Sequence, residues 1–158
     1  ITNPSVVRKP CKHVVVNSLK DTHTERTIGT AFYVAHSLGS NQLTIVEEIE
    51  DQKISIKIDD DQSLRKANLL KEKLKRQEES RVRGILSHIP EEQKEGMFIE
   101  TQAIFGKRGY SIGHYAQIVR ADLLVMNGPK KYTFLSRFFP HDLEYILKEL
   151  PTDVLIVR

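Results

Sequence analysis

Short apolar runs alternate with longer stretches of helical periodicity along this chain. His13–Val16 is a valine-rich run of the kind that forms a fully buried strand. From Asp21 to Leu38 the period becomes helical, with Thr27, Ile28, Ala31, Phe32, Ala35 and Leu38 on one face and Gly39 placed to terminate the helix. Leu43–Val46 is a second short strand, so the first βαβ crossover closes within about forty residues. In Glu47–Asp61, Ile54, Ile56 and Ile58 alternate with polar residues, which predicts a half-exposed strand or an extension of the preceding one. Ser63 to His88 reads as a long helix with an inward stripe of Leu64, Ala67, Leu70, Leu74, Ile85 and Ile89.

Gly96 precedes a third strand, Met97–Phe105, and Gly106-Lys107-Arg108-Gly109 forms the next loop. Ser111–Arg120 is helical, with Ile112, Tyr115, Ala116 and Val119 inward. The last unit runs from a strand at Asp122–Met126, through a loop at Asn127-Gly128-Pro129, into a helix at Asp142–Leu150. It ends in a closing strand at Val154–Val157. Five core strands separated by helices predict an α/β domain, a three-layer αβα sandwich around a parallel sheet. Residues 1–12, polar and with two prolines, read as an N-terminal arm or linker, and residues 13–158 as a single domain.

Composition narrows the reading without naming a chemistry. A chain of 158 residues builds one core, and 39% hydrophobic with 28% charged residues is ordinary for an α/β domain. The net charge of +3 falls short of a dedicated nucleic-acid binder. Between Gln62 and Arg83 eight basic residues stand against three acids, read first as a solvated face laced with i,i+4 pairs. The sharper reading is a docking surface for an acidic partner or a membrane face. Nucleic-acid binding by this helix lacks an aromatic platform. The single cysteine, Cys11, leaves no internal disulfide and reads as a bystander in a reducing compartment.

Candidate chemistry is sparse. There is no GxxxxGK[ST] and no GxGxxG, and the pair Gly106/Gly109 is weak on its own. The six histidines show no metal-ligand spacing, no residue is paired as a nucleophile, and the clusters Glu47-Glu48 and Asp59–Asp61 read as solvated turns. No catalytic or metal residue is assigned. Lys107 and Arg108 after the third strand, with Lys130, Lys131 and Arg137 after the fourth, could border one crevice and attract an anion.

Taken in order, these segments resemble the universal stress protein family over nearly the whole chain. The resemblance rests on the first strand at His13–Ser18 and on AFYVAHSLGS leading to LTIVEEI. It continues through MFIETQAIFGKRGYSIGHYAQIVRADLLVMNG and a closing PTDVLIVR similar to the family's PVLVVR. The resemblance implies a Rossmann-like five-stranded parallel sheet of order 3-2-1-4-5. It also implies a nucleotide loop of a glycine, two residues, a glycine, nine residues and Gly-Ser/Thr.

Here Gly128 holds the first loop position, Lys131 replaces the second glycine, and His141-Asp142 replaces the final pair, with Lys130 beside them. At the helix start Asp142 would cap the free N–H groups and repel a phosphate. Asn17 stands where the family usually has an aspartate near adenine and ribose. The expectation is therefore a non-enzymatic regulatory domain with a degenerate nucleotide site and no tightly bound cofactor, with ATP or AMP as weak ligands.

The family's habits imply a homodimer through Val154, Leu155, Ile156 and Val157, whose open edge would otherwise be a liability. They also imply a cytoplasmic location, as the cytosolic part of a membrane transporter such as a sodium/proton antiporter or an amino-acid or cation carrier. The alternative is a free-standing universal stress protein that binds ATP or another adenine nucleotide as a sensor, with or without slow hydrolysis.

Overall fold

Each strand is built from the apolar run the sequence supplies, and the sheet order follows from how the crossovers pack. The computed structural model describes residues 1–2, 9–50, 53–54, 56–107, 109–128 and 146–158. The strands are β1 (His13–Asn17), β2 (Gln42–Glu50), β3 (Phe98–Gly106), β4 (Leu123–Asn127) and β5 (Asp153–Val157). The helices are α1 (Thr24–Ser37), α2 (Asp61–Leu86), the short α3 (Glu91–Lys94) and α4 (Tyr110–Ile118), with a further helical turn at 146–149. All pairings are parallel and the order is β3-β2-β1-β4-β5, as the resemblance implied.

Val14, Val15 and Val16 in the central strand β1 are fully buried because both faces of the sheet are covered. One face packs Val14, Val16, Ile45 and Val125 against Ile28, Ala31 and Phe32 of α1 and Val82 of α2. The other packs Val15, Val46, Leu124 and Met126 against Ile112 and Ala116 of α4 and Ile146. At the N-terminal end of the sheet the Asp122 carboxylate accepts the N–H groups of Lys12 (2.9 Å) and His13 (3.0 Å), which ties β1 to β4.

Gly39 acts where it was expected, whereas Asp60, read in the sequence as part of a solvated turn, proves to be the cap of a helix that begins at Asp61. Gly39 adopts φ 69°, and Gly39 N–H and Ser40 N–H donate to the carbonyls of His36 and Ala35, a Schellman closure of α1. Asp60 caps α2: its carboxylate accepts Ser63 N–H at 2.6 Å while the Ser63 hydroxyl oxygen accepts Asp60 N–H at 3.1 Å.

Four further expectations need correction. The segment after Val46 extends β2 only to Glu50; Ile54 and Ile56 are half-buried outside any strand and Ile58 is exposed. Glu47 and Glu48 are buried within β2, 3% and 5% exposed, and are not solvated turns. The inward stripe of α2 is narrower than its leucines suggest. Leu64 is exposed and Leu70 and Leu74 are half-buried, while Ala67, Glu78 and Val82 are the buried positions. Leu38 is also exposed, because α1 has already ended at Ser37. Of the expected last helix, residues 142–145 lie outside the described residues.

The outer edge of β5 meets the start of the chain. Ile1 donates its terminal N–H to the Val154 carbonyl at 2.8 Å, and Val154 N–H donates to the Ile1 carbonyl at 2.8 Å. Among the described residues no helix is long and apolar enough to cross a membrane.

Candidate functional site

The strand order reverses between β1 and β4: the chain runs outward from β1 through β2 to β3, then returns to β4 and β5 on the other side. The C-terminal ends of these two strands therefore form the topological switch point, where α/β sheets bind ligands. Two of the residues singled out in the sequence, Asn17 and Gly128, are placed there. Lys130, Lys131, His141 and Asp142 lie outside the described residues, as do Arg108 and Arg137 of the basic patch. Lys107 follows β3, which sits three strand spacings from β4, about 14 Å across the sheet.

Asn17 is fully buried, and its amide Nδ2 donates to Glu48 Oε2 at 3.4 Å. Among the described residues its Oδ1 has no hydrogen-bond partner. Glu48, on the neighbouring strand, accepts the backbone N–H of Gly109 at 3.0 Å and of Ile112 at 2.7 Å. The N-cap position of α4 is Gly109, at φ 79° and without a side-chain cap of its own. A carboxylate from β2 thus fills the positive end of α4, where a phosphate would otherwise find free N–H groups. Sequence reading missed this because the partners stand more than sixty residues apart and Glu-Glu is an ordinary surface pair.

On the other face, Asn127 Nδ2 donates to Thr24 Oγ1 at 3.3 Å, and the Thr24 hydroxyl donates to the Leu19 carbonyl. The start of α1 is thereby joined to the ends of β1 and β4. Among the described residues Asn127 Oδ1 and Thr27 Oγ1, like Asn17 Oδ1, are buried without a hydrogen-bond partner. Such acceptors are uncommon in protein interiors and mark where a donor group or a water would be held. Gly128 has a structural reason of its own. A Cβ there would lie 2.9 Å from Arg158 Cγ and 3.0 Å from the Val157 carbonyl, to which Gly128 N–H donates at 2.6 Å.

A second cluster borders the site. Arg81 of α2 donates through Nε to Glu78 (2.7 Å) and through Nη2 to the Ser18 carbonyl (2.8 Å), the Ser18 hydroxyl (2.7 Å) and Glu47 (3.4 Å). Lys20 pairs with the other oxygen of Glu78. Two buried carboxylates are balanced by two cations, and α2 is fixed to the end of β1. The sequence signal for it is weak: one arginine among eight basic residues.

Other candidates are occupied elsewhere. His13 Nε2 lies 2.8 Å from Thr44 Oγ1, and His88 pairs with Glu25 at 2.8 Å. His114 stacks on Tyr110. Burial pushes the Cys11 thiol up from its ordinary range, the opposite of what a nucleophile requires. Among the described residues no group of three or more His, Cys, Asp or Glu could hold a metal ion.

No family model matches the sequence, and no curated protein matches it by sequence. The solved structures are more informative. Universal stress protein UspA from Lactobacillus plantarum superposes with a TM-score of 0.64 at 14% identity, over 96% of this chain and 100% of that one. A universal stress protein in complex with cAMP gives 0.60 at 22% identity, over 95% and 98%. The universal stress protein from Archaeoglobus fulgidus in complex with dAMP gives 0.54 at 15% identity, over 95% and 100%. Sheet order, the flanking helices and these superpositions agree, and the chain has the fold of the universal stress proteins over nearly its whole length.

Proposed function

We propose that this chain is a non-catalytic universal-stress-protein-like regulatory domain whose switch-point site no longer holds nucleotide phosphates tightly. The observation that carries this reading is Glu48 seated on the N-terminus of α4 beside Asn17. A carboxylate there neutralises the helix end and repels an anion. The loop substitutions Lys131, His141 and Asp142 point the same way. In this reading the domain works through contacts with other proteins or with a transporter to which it is joined, and it pairs with a second copy along β5.

A second reading is supported by the cAMP and dAMP complexes among the similar structures. Here the chain is a sensor that binds an adenine nucleotide. The buried, unpartnered acceptors Asn17 Oδ1 and Asn127 Oδ1 would suit the amino and hydroxyl donors of a nucleoside.

Thermal unfolding with ATP, ADP, AMP and cAMP separates the two. The first reading expects no shift at millimolar ATP. A ligand at a hundred times its dissociation constant would stabilise the fold by about 2.7 kcal/mol, and a shift of that size with ATP rejects the first reading in favour of the second. A reading frame that encodes membrane spans upstream of Ile1 would support the transporter-linked form.

A further inference from the structure

Helix α2 turns its basic residues outward. At about 100° per residue, Arg65, Lys66, Leu69, Glu72, Lys73, Arg76 and Arg83 fall on the side opposite the buried Ala67, Glu78 and Val82, and all seven are exposed. Arg65 and Arg83 are separated by 18 residues, roughly 27 Å of helix. The face holds five cations against one anion, Glu72, with Glu79 half-buried at its margin. The i,i+4 pairs expected from the sequence are not formed on it. Among the described residues the ion pair within α2 is Arg81–Glu78, on the inner side, and none of the five outer cations is in an ion pair or hydrogen bond. At the centre of these charges stands Leu69, 71% exposed.

We propose that the outer face of α2 docks on an anionic lipid membrane surface. An unbroken helix with unpaired cations along one side presents a line of positive charge to a plane of negative headgroups, and a central leucine can enter the headgroup boundary. The same features disfavour nucleic acid, because an apolar side chain takes the centre and no aromatic ring stands on this face to stack a base. The inner side suits a docking element: Arg81 anchors α2 to Ser18 and Glu47, so the outer face is carried on a fixed support. The inference is independent of whether the switch point binds a nucleotide.

The test is cosedimentation of the chain with vesicles of phosphatidylcholine alone or carrying about 30% phosphatidylserine. The charge-reversed Arg65→Glu/Lys73→Glu/Arg76→Glu variant and the milder Lys73→Ala/Arg76→Ala variant are run beside it. The chain should sediment with the anionic vesicles at low salt, stay free of the neutral ones, and be released as salt rises to about 0.5 M. Each neutralised cation should weaken partitioning by about fivefold, so the double alanine variant loses about 25-fold and the reversed variant loses binding. Leu69→Ala should weaken binding severalfold without changing its salt dependence. Absence of sedimentation at low salt, or unchanged binding by the double alanine variant with native circular dichroism, overturns the proposal. Tighter retention on duplex DNA than on anionic vesicles, lost in the same variants, also overturns it and assigns the face to nucleic acid.

Discussion

The Glu48 carboxylate on β2 accepts the backbone N–H of Ile112 at 2.7 Å, in the first turn of α4 and 64 residues further along the chain. It is the cap that α4 lacks locally, since Gly109 has no side chain to supply one. Glu48→Gln keeps an acceptor but loses the charge, and the cost should be about 1–2 kcal/mol; Glu48→Ala leaves buried donors unsatisfied and should cost about 3 kcal/mol. Urea unfolding measures both. If Glu48 excludes phosphate, the Gln variant should also gain measurable stabilisation by AMP over the parent chain.

Arg81 can be removed without touching the apolar core. Arg81→Met should destabilise by about 3 kcal/mol, the lower end for a broken buried pair, because Lys20 stays on Glu78 and Arg81 itself keeps 26% exposure. Adding Glu47→Gln should recover part of the loss. A double-mutant cycle by denaturant unfolding gives the coupling between the two.

Acid should weaken the fold through His13. Burial lowers its pKa from the ordinary 6.5, partly countered by the Val119 carbonyl and by Asp122 and Glu100. Just below 6.5 the unfolded chain binds a proton that the folded chain does not. The contribution of His13 is therefore complete above that value and declines as pH falls toward the lowered folded-state pKa. His13→Gln should flatten the stability–pH profile in this window, measured as melting temperature between pH 5 and pH 8, expressed as about a unit either side of the histidine range.

Gly128→Ala tests whether this glycine serves the sheet. Its Cβ would meet Arg158 Cγ and the Val157 carbonyl at about van der Waals overlap, 2.9 and 3.0 Å. The end of β5 should separate from β4, with a loss of about 1–3 kcal/mol and faster amide exchange at Gly128.

The edge of β5 offers a clean test of self-association. Val154 N–H and C=O both face outward, to Ile1, while the Val157 carbonyl faces inward to Gly128. By the alternation of a parallel ladder, Ile156 N–H also points to the open edge. Ile156→Pro removes that outward donor and leaves the β4 pairing in place. If two copies pair along β5, light scattering should report a dimer for the parent chain and a monomer for this variant.

Much of the fold was legible because its signals are local. A valine run such as Val14–Val16 has one way to bury both faces of a strand, Gly39 alone relieves the left-handed closure of α1, and the phasing of Ile28, Ala31, Phe32 and Ala35 fixes the inward side of that helix. The leucines of α2 misled for a related reason: periodicity gives a face but not how much sheet lies beneath it. Leu64 is exposed and Leu70 and Leu74 are half-buried, while Glu78 and Val82 are buried.

The sequence by itself determined the element order and the parallel α/β class, because hydrophobic period and turn chemistry act between near neighbours. The sheet order, and with it the place of Asn17 and Gly128, was implied by the family resemblance. Only the tertiary structure decided what Glu47 and Glu48 do. Adjacent residues of a strand face opposite sides of the sheet, so one carboxylate meets Arg81 beneath α2 and the other closes the end of α4. A pair of acids that reads as solvent-facing becomes two buried anchors once strand alternation and sheet order bring distant donors to each side.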